Sequence, residues 1–123
     1  MDAGEGILPV GEVPHCWLFP RAAAVVHHGG AGTTGAVFRA GVPAVVTPIY
    51  ADQPLWGARV DALGVGPAPI PFTRLTADPL AGALRAACGN RTYRANARRL
   101  SRLIAAETGT APVVEAVNRL QAG

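Results

Sequence analysis

At 123 residues, half of them hydrophobic and 15% charged, the chain is suited to one folded domain with a modest core, which excludes an intrinsically disordered polymer. The net charge is only +3, with every cationic side chain an arginine, so an extended nucleic-acid-binding surface is not expected. No apolar run approaches the ~20 residues needed to span a bilayer, and the N-terminus carries no basic-then-apolar leader; a cytoplasmic protein is expected.

Taken in chain order, Ile7 to Val10 reads as a short strand or the loop that follows one. His15-Cys16-Trp17-Leu18-Phe19, closed by Pro20, reads as a short helical turn packing Trp17 and Phe19 inward. Val25 and Val26 end a short buried strand, and the run His27-His28-Gly29-Gly30-Ala31-Gly32-Thr33-Thr34 follows it directly. A helix is predicted from about Thr33 to Ala40, stopped by Gly41 with Pro43 beyond. Ala44-Val45-Val46-Thr47 is a second buried strand ended by Pro48, and Gln53 to Leu63 a helix with Pro54 in its first turn. The proline-rich passage Gly66 to Phe72 prevents regular helix and leaves room for a short edge strand. Helices are predicted over Asp78–Ala87 behind a Thr76 cap, Arg91–Glu107 with Leu100, Leu103 and Ile104 on one face, and Pro112–Leu120 behind Thr110. Short apolar strands alternating with helices define an α/β class, a Rossmann-like parallel sheet flanked by helices.

The glycine turn is the most informative stretch. A strand that turns through glycines into a helix leaves backbone N–H groups without partners, and the positive end of the helix dipole favours an anion there. The Thr33 and Thr34 hydroxyls and the His28 imidazole add donors suited to phosphate oxygens. In a parallel sheet, ligands bind beyond the carboxyl ends of the strands. Both the turn after Val26 and the turn after Thr47 are such ends, which sets the His28–Thr34 loop and Asp52-Gln53 on one rim. A phosphate site beside a hydroxyl-reading site suits a sugar phosphate or a nucleotide sugar.

Trp17-Leu18-Phe19-Pro20, Val25 through Thr34, Arg39-Ala40-Gly41-Val42-Pro43 and Asp52-Gln53-Pro54 together resemble the C-terminal half of family 1 glycosyltransferases, in particular the bacterial branch of sterol- and antibiotic-glycosyltransferase-like enzymes. The motifs stand in order, with Asp52 24 positions after His28. The resemblance implies the GT-B fold, and residues 1–123 as a single, partial C-terminal donor-binding domain without the N-terminal acceptor domain. It further implies that His28, Gly30, Gly32 and Thr33 hold the donor diphosphate and that Asp52 and Gln53 hydrogen-bond the transferred sugar. The catalytic base comes from the N-terminal domain in this family, so no catalytic residue is assigned here and the isolated chain is expected to be inactive. The place where the plant-type signature has its base-stacking tryptophan falls near Val10, and that of its ribose-binding glutamate on Ala36. The donor nucleotide is accordingly left as uridine or thymidine diphosphate.

Structural readings stand beside these. His28 could be a buried histidine bonded to a carbonyl, Asp52 a helix N-cap, and Trp17 a core residue rather than a base platform. His27 is expected to end its strand, point away from His28 and serve structure. The arginines of the Arg91–Arg102 segment read as a solvated helix face. Cys16 and Cys88 match no metal or redox spacing and are expected as small buried or half-buried side chains. His15, His27 and His28 lack a further ligand, so no metal and no cofactor is expected beyond the nucleotide sugar as substrate. Partners expected are a UDP- or TDP-hexose, a separate acceptor domain, no nucleic acid, and membrane contact only through a lipid acceptor. The alternative function is a non-catalytic nucleotide-sugar-binding or auxiliary module, or a degenerate fragment.

Overall fold

The computed structural model describes residues 4–123. After an extended lead-in with Ile7, Leu8 and Val10 exposed, a short helix α1 (His15–Leu18) runs into a 3-10 turn at Phe19–Arg21. Strand β1 (Val25–His27) leads to helix α2 (Ala31–Ala40), strand β2 (Ala44–Val46) and helix α3 (Gln53–Ala62). Helices α4 (Ala77–Gly89), α5 (Arg91–Ala105) and α6 (Ala111–Ala122) complete the chain. β1 and β2 pair in parallel with Val25 opposite Ala44, Val26 opposite Val45 and His27 opposite Val46. This is a minimal form of the expected class: a small parallel sheet, helix-rich on its flanks.

The core forms where the sheet's apolar side chains meet α2, α3 and α5. Val25, Val37, Val42, Ala44, Val46, Val60, Val65, Ala97 and Phe19 make one cluster. β2 is buried along its whole length, whereas β1 alternates, with Val25 and His27 inward and Val26 41% exposed. A central strand reads as a continuous apolar run and a half-covered strand alternates, so the two patterns follow from position in the sheet. α2 ends at Gly41, whose N–H returns to the Val37 and Phe38 carbonyls. That is the predicted stop, although the helix begins at Ala31 rather than Thr33.

The proline-rich passage forms no regular strand, yet it lies against β2 as an edge strand would. Ala44 N–H donates to Val65 O at 3.1 Å, Ile70 N–H to Val46 O at 2.9 Å and Phe72 N–H to Pro48 O at 3.0 Å. Pro67, Pro69 and Pro71 alternate with these donors. Every other residue thus lacks an N–H, and the edge facing away from β2 has little to offer another strand.

α5 fastens three distant segments by side chain-to-backbone bonds. Arg94 donates to Ala23 O at 3.0 Å, Asn96 to Gly64 O at 3.0 Å and Ser101 to Arg39 O at 2.6 Å. Asn90 caps this helix, its Oδ1 accepting from Thr92 and Tyr93 N–H. Thr76 and Thr110 occupy the cap positions of α4 and α6 without a side-chain bond.

Some expectations are corrected. Trp17 is 53% exposed rather than packed inward, because α1 is too short to bury two aromatic faces. Phe19 takes the core and stacks on His15 with ring centroids 4.3 Å apart, while the Arg21 guanidinium covers Trp17 at 4.3 Å. Arg21 also donates to the Trp17 carbonyl. Cys16 and Cys88 are both free and exposed, not buried, each lying on the solvent side of its helix. On α5, Leu100 packs on the core and Ile104 is half-buried, but Leu103 is 59% exposed. No helix among the described residues is long and apolar enough to cross a membrane.

Candidate functional site

β1 delivers the chain to the rim through His27, and the next residues turn back into α2. Gly29 has φ +96°, which a side-chain-bearing residue rarely adopts. Its N–H donates to His27 Nδ1 at 3.1 Å, and an added Cβ would lie 2.8 Å from Val46 Cγ1 and 2.9 Å from the Gln53 carbonyl oxygen. The glycine turn is therefore seated directly on the backbone of Gln53. His28 is exposed, and its imidazole folds over Gly30, where a Cβ would approach Cε1 and Nε2 to 2.9 Å. The burial alternative for His28 does not hold.

Gly30 is the N-cap of α2 with no side-chain cap and no acidic residue in the first turn. Thr34 N–H is the first to bond within the helix, to Gly30 O at 2.9 Å. The amides of Ala31, Gly32 and Thr33 ahead of it are left for another acceptor, at the positive end of the dipole. Space in front of Gly32 is open, with no atom within 4 Å of a Cβ built there. Thr33 is half-buried, whereas Thr34 is fully buried, so the two hydroxyls do not share one exposure. A cavity of about 400 Å³ adjoins Gly32 between α1 and α2, lined also by His15, Ala36 and Arg39.

Asp52 and Gln53 open α3 on the same rim, and they differ. Asp52 is exposed and stands at the N-cap, but its carboxylate caps nothing. Instead it accepts from Trp56 Nε1 at 3.0 Å, one helical turn along. Gln53 is buried, and its Oε1 accepts from Ile49 N–H at 2.8 Å and Tyr50 N–H at 3.2 Å. The carbonyl end of that amide is thus committed to the loop, leaving its NH2 as the group free for a ligand. The same loop holds Ala51 at φ +58°, an unfavourable backbone for alanine that the Gln53 bonds help to fix.

His27 is 9% exposed and, as expected, ends its strand apart from the exposed His28. Burial first, and then the charge of neighbouring His28, push its imidazole down to about 4 from 6.5. Because the folded form resists the proton more than the unfolded form does, the native state keeps full stability above the ordinary histidine range. It loses stability as pH falls through that range toward the depressed value. Between pH 7 and pH 5 this group alone is expected to remove about 2 kcal/mol, measurable by denaturant unfolding. His27→Asn should flatten the curve in that window; an unchanged slope would exclude the assignment.

Among the described residues, no group of three or more His, Cys, Asp and Glu is placed to hold a metal ion.

The parallel sheet and its rim place the fold with the C-terminal domains of GT-B glycosyltransferases. The glycotransferase of kitacinnamycin superposes with TM-score 0.81 at 30% identity, covering 97% of this chain and 32% of that one. Glycosyltransferase VinC, solved in complex with DTDP, gives TM-score 0.80 at 30% identity over 96% of this chain and 31% of its own. The chain belongs to the family described as erythromycin biosynthesis protein CIII-like, C-terminal domain, which matches residues 3–120. It is similar to O-mycaminosyltylonolide 6-deoxyallosyltransferase of Streptomyces fradiae, 44% identical over 110 residues, covering 85% of this chain and 26% of that enzyme. The sterol 3-beta-glucosyltransferase of Saccharomyces cerevisiae is 42% identical over 117 residues, covering 95% of this chain and 10% of the enzyme. The chain thus spans about a quarter or less of these curated relatives' length.

Proposed function

We propose that this chain is the donor-binding part of a glycosyltransferase that moves a hexose from a UDP- or TDP-sugar to a hydroxyl of a lipid, sterol or natural-product acceptor. The observation that carries this reading is the open N-terminus of α2, with the Ala31, Gly32 and Thr33 amides unbonded and His28 exposed over Gly30. Fixed donors of this kind offset the negative charge that grows on a diphosphate leaving group, without a metal ion. The nucleoside would extend from Gly32 into the cavity lined by His15 and Ala36. VinC, at 30% identity, was solved with DTDP, which favours the thymidine arm.

The sugar reaches the other half of the rim. An exposed carboxylate held by Trp56 and the NH2 of Gln53 give one acceptor and one donor for neighbouring hydroxyls. The acceptor domain and the base that deprotonates its hydroxyl belong to the remaining length of the larger enzymes, and displacement at the anomeric carbon would invert it.

Titration of the chain with UDP and TDP by calorimetry tests this reading. His28→Ala should weaken binding by about 10- to 100-fold, the loss of one hydrogen bond to a charged group. Because His28 is exposed, the melting temperature should barely move. Equal affinity in both proteins would remove His28 from the site.

A further inference from the structure

The donor loop is flanked by two buried polar side chains, His27 before it and Thr34 at its end. His27 Nε2 and Thr34 Oγ1 are the buried side-chain atoms without a hydrogen-bond partner among the described residues. Nδ1 of His27, by contrast, is engaged: it accepts the Gly29 N–H at 3.1 Å. A nitrogen that accepts from an N–H carries no proton, so the ring proton resides on Nε2. Gly29 itself is buried, and without His27 its N–H would lose this partner at the point where the turn meets Gln53 and Val46. The backbone oxygen of His27 ties the same junction from the other side, accepting Thr47 N–H at 2.8 Å.

The geometry points to His27 as a positioning residue: the lone pair of its Nδ1 fixes the Gly29 turn, and through it the spacing between the diphosphate loop and the Asp52-Gln53 pair. This rests on the donor-site reading above, because it is the seating of that site that His27 controls. His27 touches no ligand in this scheme. It acts by holding one amide that in turn holds a backbone contact, so its removal should loosen both halves of the rim together.

The test separates acceptor from volume. His27→Asn keeps a short neutral acceptor near the Nδ1 position, and His27→Phe keeps the ring volume without one. UDP and TDP binding should stay within about threefold of the native chain in His27→Asn and fall by about tenfold or more in His27→Phe, the weight of one buried hydrogen bond. Nitrogen NMR of the labelled native chain should show His27 with a proton on Nε2 and a bare Nδ1, whether or not nucleotide is present. Equal binding in the two variants, stronger binding by His27→Phe, or an Nδ1-protonated ring would overturn the positioning role alone. A native chain that binds neither nucleotide would sink the donor-site reading and this proposal with it, so the failures are told apart. Should His27→Phe fail to fold while His27→Asn folds and binds, the acceptor is again the property required; if neither folds, the NMR tautomer decides.

Discussion

Gly66→Ala is expected to cost on the order of 3–5 kcal/mol and to lower the melting temperature by roughly 10–20 °C. An alanine Cβ there would lie 1.9 Å from the Ala44 carbonyl oxygen and 2.9 Å from Val60 Cγ1. Neither neighbour has room to withdraw: Ala44 is in the buried strand and Val60 is fully buried. The Val65–Gly66 segment must instead lift from β2. It would give up the bond from Ala44 N–H to Val65 O and draw Val65, 2% exposed, from the core. Gly82→Ala is the control, since a Cβ at that exposed helical position meets nothing within 4 Å. It should be neutral or stabilising by up to about 1 kcal/mol. Thermal unfolding followed by circular dichroism reads both, and a Gly66→Ala protein melting with the native one would refute this packing.

Gly29→Ala strikes the rim rather than the core. The substitution forces alanine into φ +96° and drives its Cβ against Val46 and the Gln53 carbonyl. Left-handed backbone costs ~1–2 kcal/mol, and the clash adds to it by pushing Gln53 and its neighbour Asp52 away from the loop. Affinity for UDP or TDP should fall by more than about tenfold if the proposed site holds, since relief of the clash moves the amides proposed to face the diphosphate. Gly32→Ala makes the complementary case. Its Cβ would enter open space, so stability should be unaffected. If Gly32→Ala also weakens nucleotide binding, that open space is where the ligand sits. Native affinity in Gly29→Ala would mean that the turn is not part of a binding surface.

Much of this arrangement was legible in the residues. The two apolar runs became the paired strands, Gly41 ended its helix, and the glycine turn and Asp52-Gln53 came to one rim because both follow parallel strands. Asn90, directly before a helical run, is a readable N-cap of the kind that residue type and position mark. Other features had no local signal. Ala51 gives no hint of a left-handed backbone; the Ile49 and Tyr50 N–H groups donating to Gln53 Oε1, and Gln53 N–H donating to Tyr50 O, bracket it there. Gln53 looked like a free amide until its own loop claimed its oxygen. Trp17 and the cysteines went the other way: residue-type averages favour the interior, but the four-residue α1 buries none of its residues and Cys88 sits on the exposed side of α4.

The fastening of α5 has a consequence for the order in which the molecule is made. Its bonds to Ala23, Gly64 and Arg39 join residues 71, 32 and 62 positions apart. A nascent chain that has reached only the end of α3 holds the loop and both strands but none of these ties. The three ties are complete only after Ser101 has left the ribosome. Closing contacts over such separations is slow relative to forming the helices themselves. The back of the sheet and helices, at Ala23, Arg39 and Gly64, is thus fastened by a segment made after it.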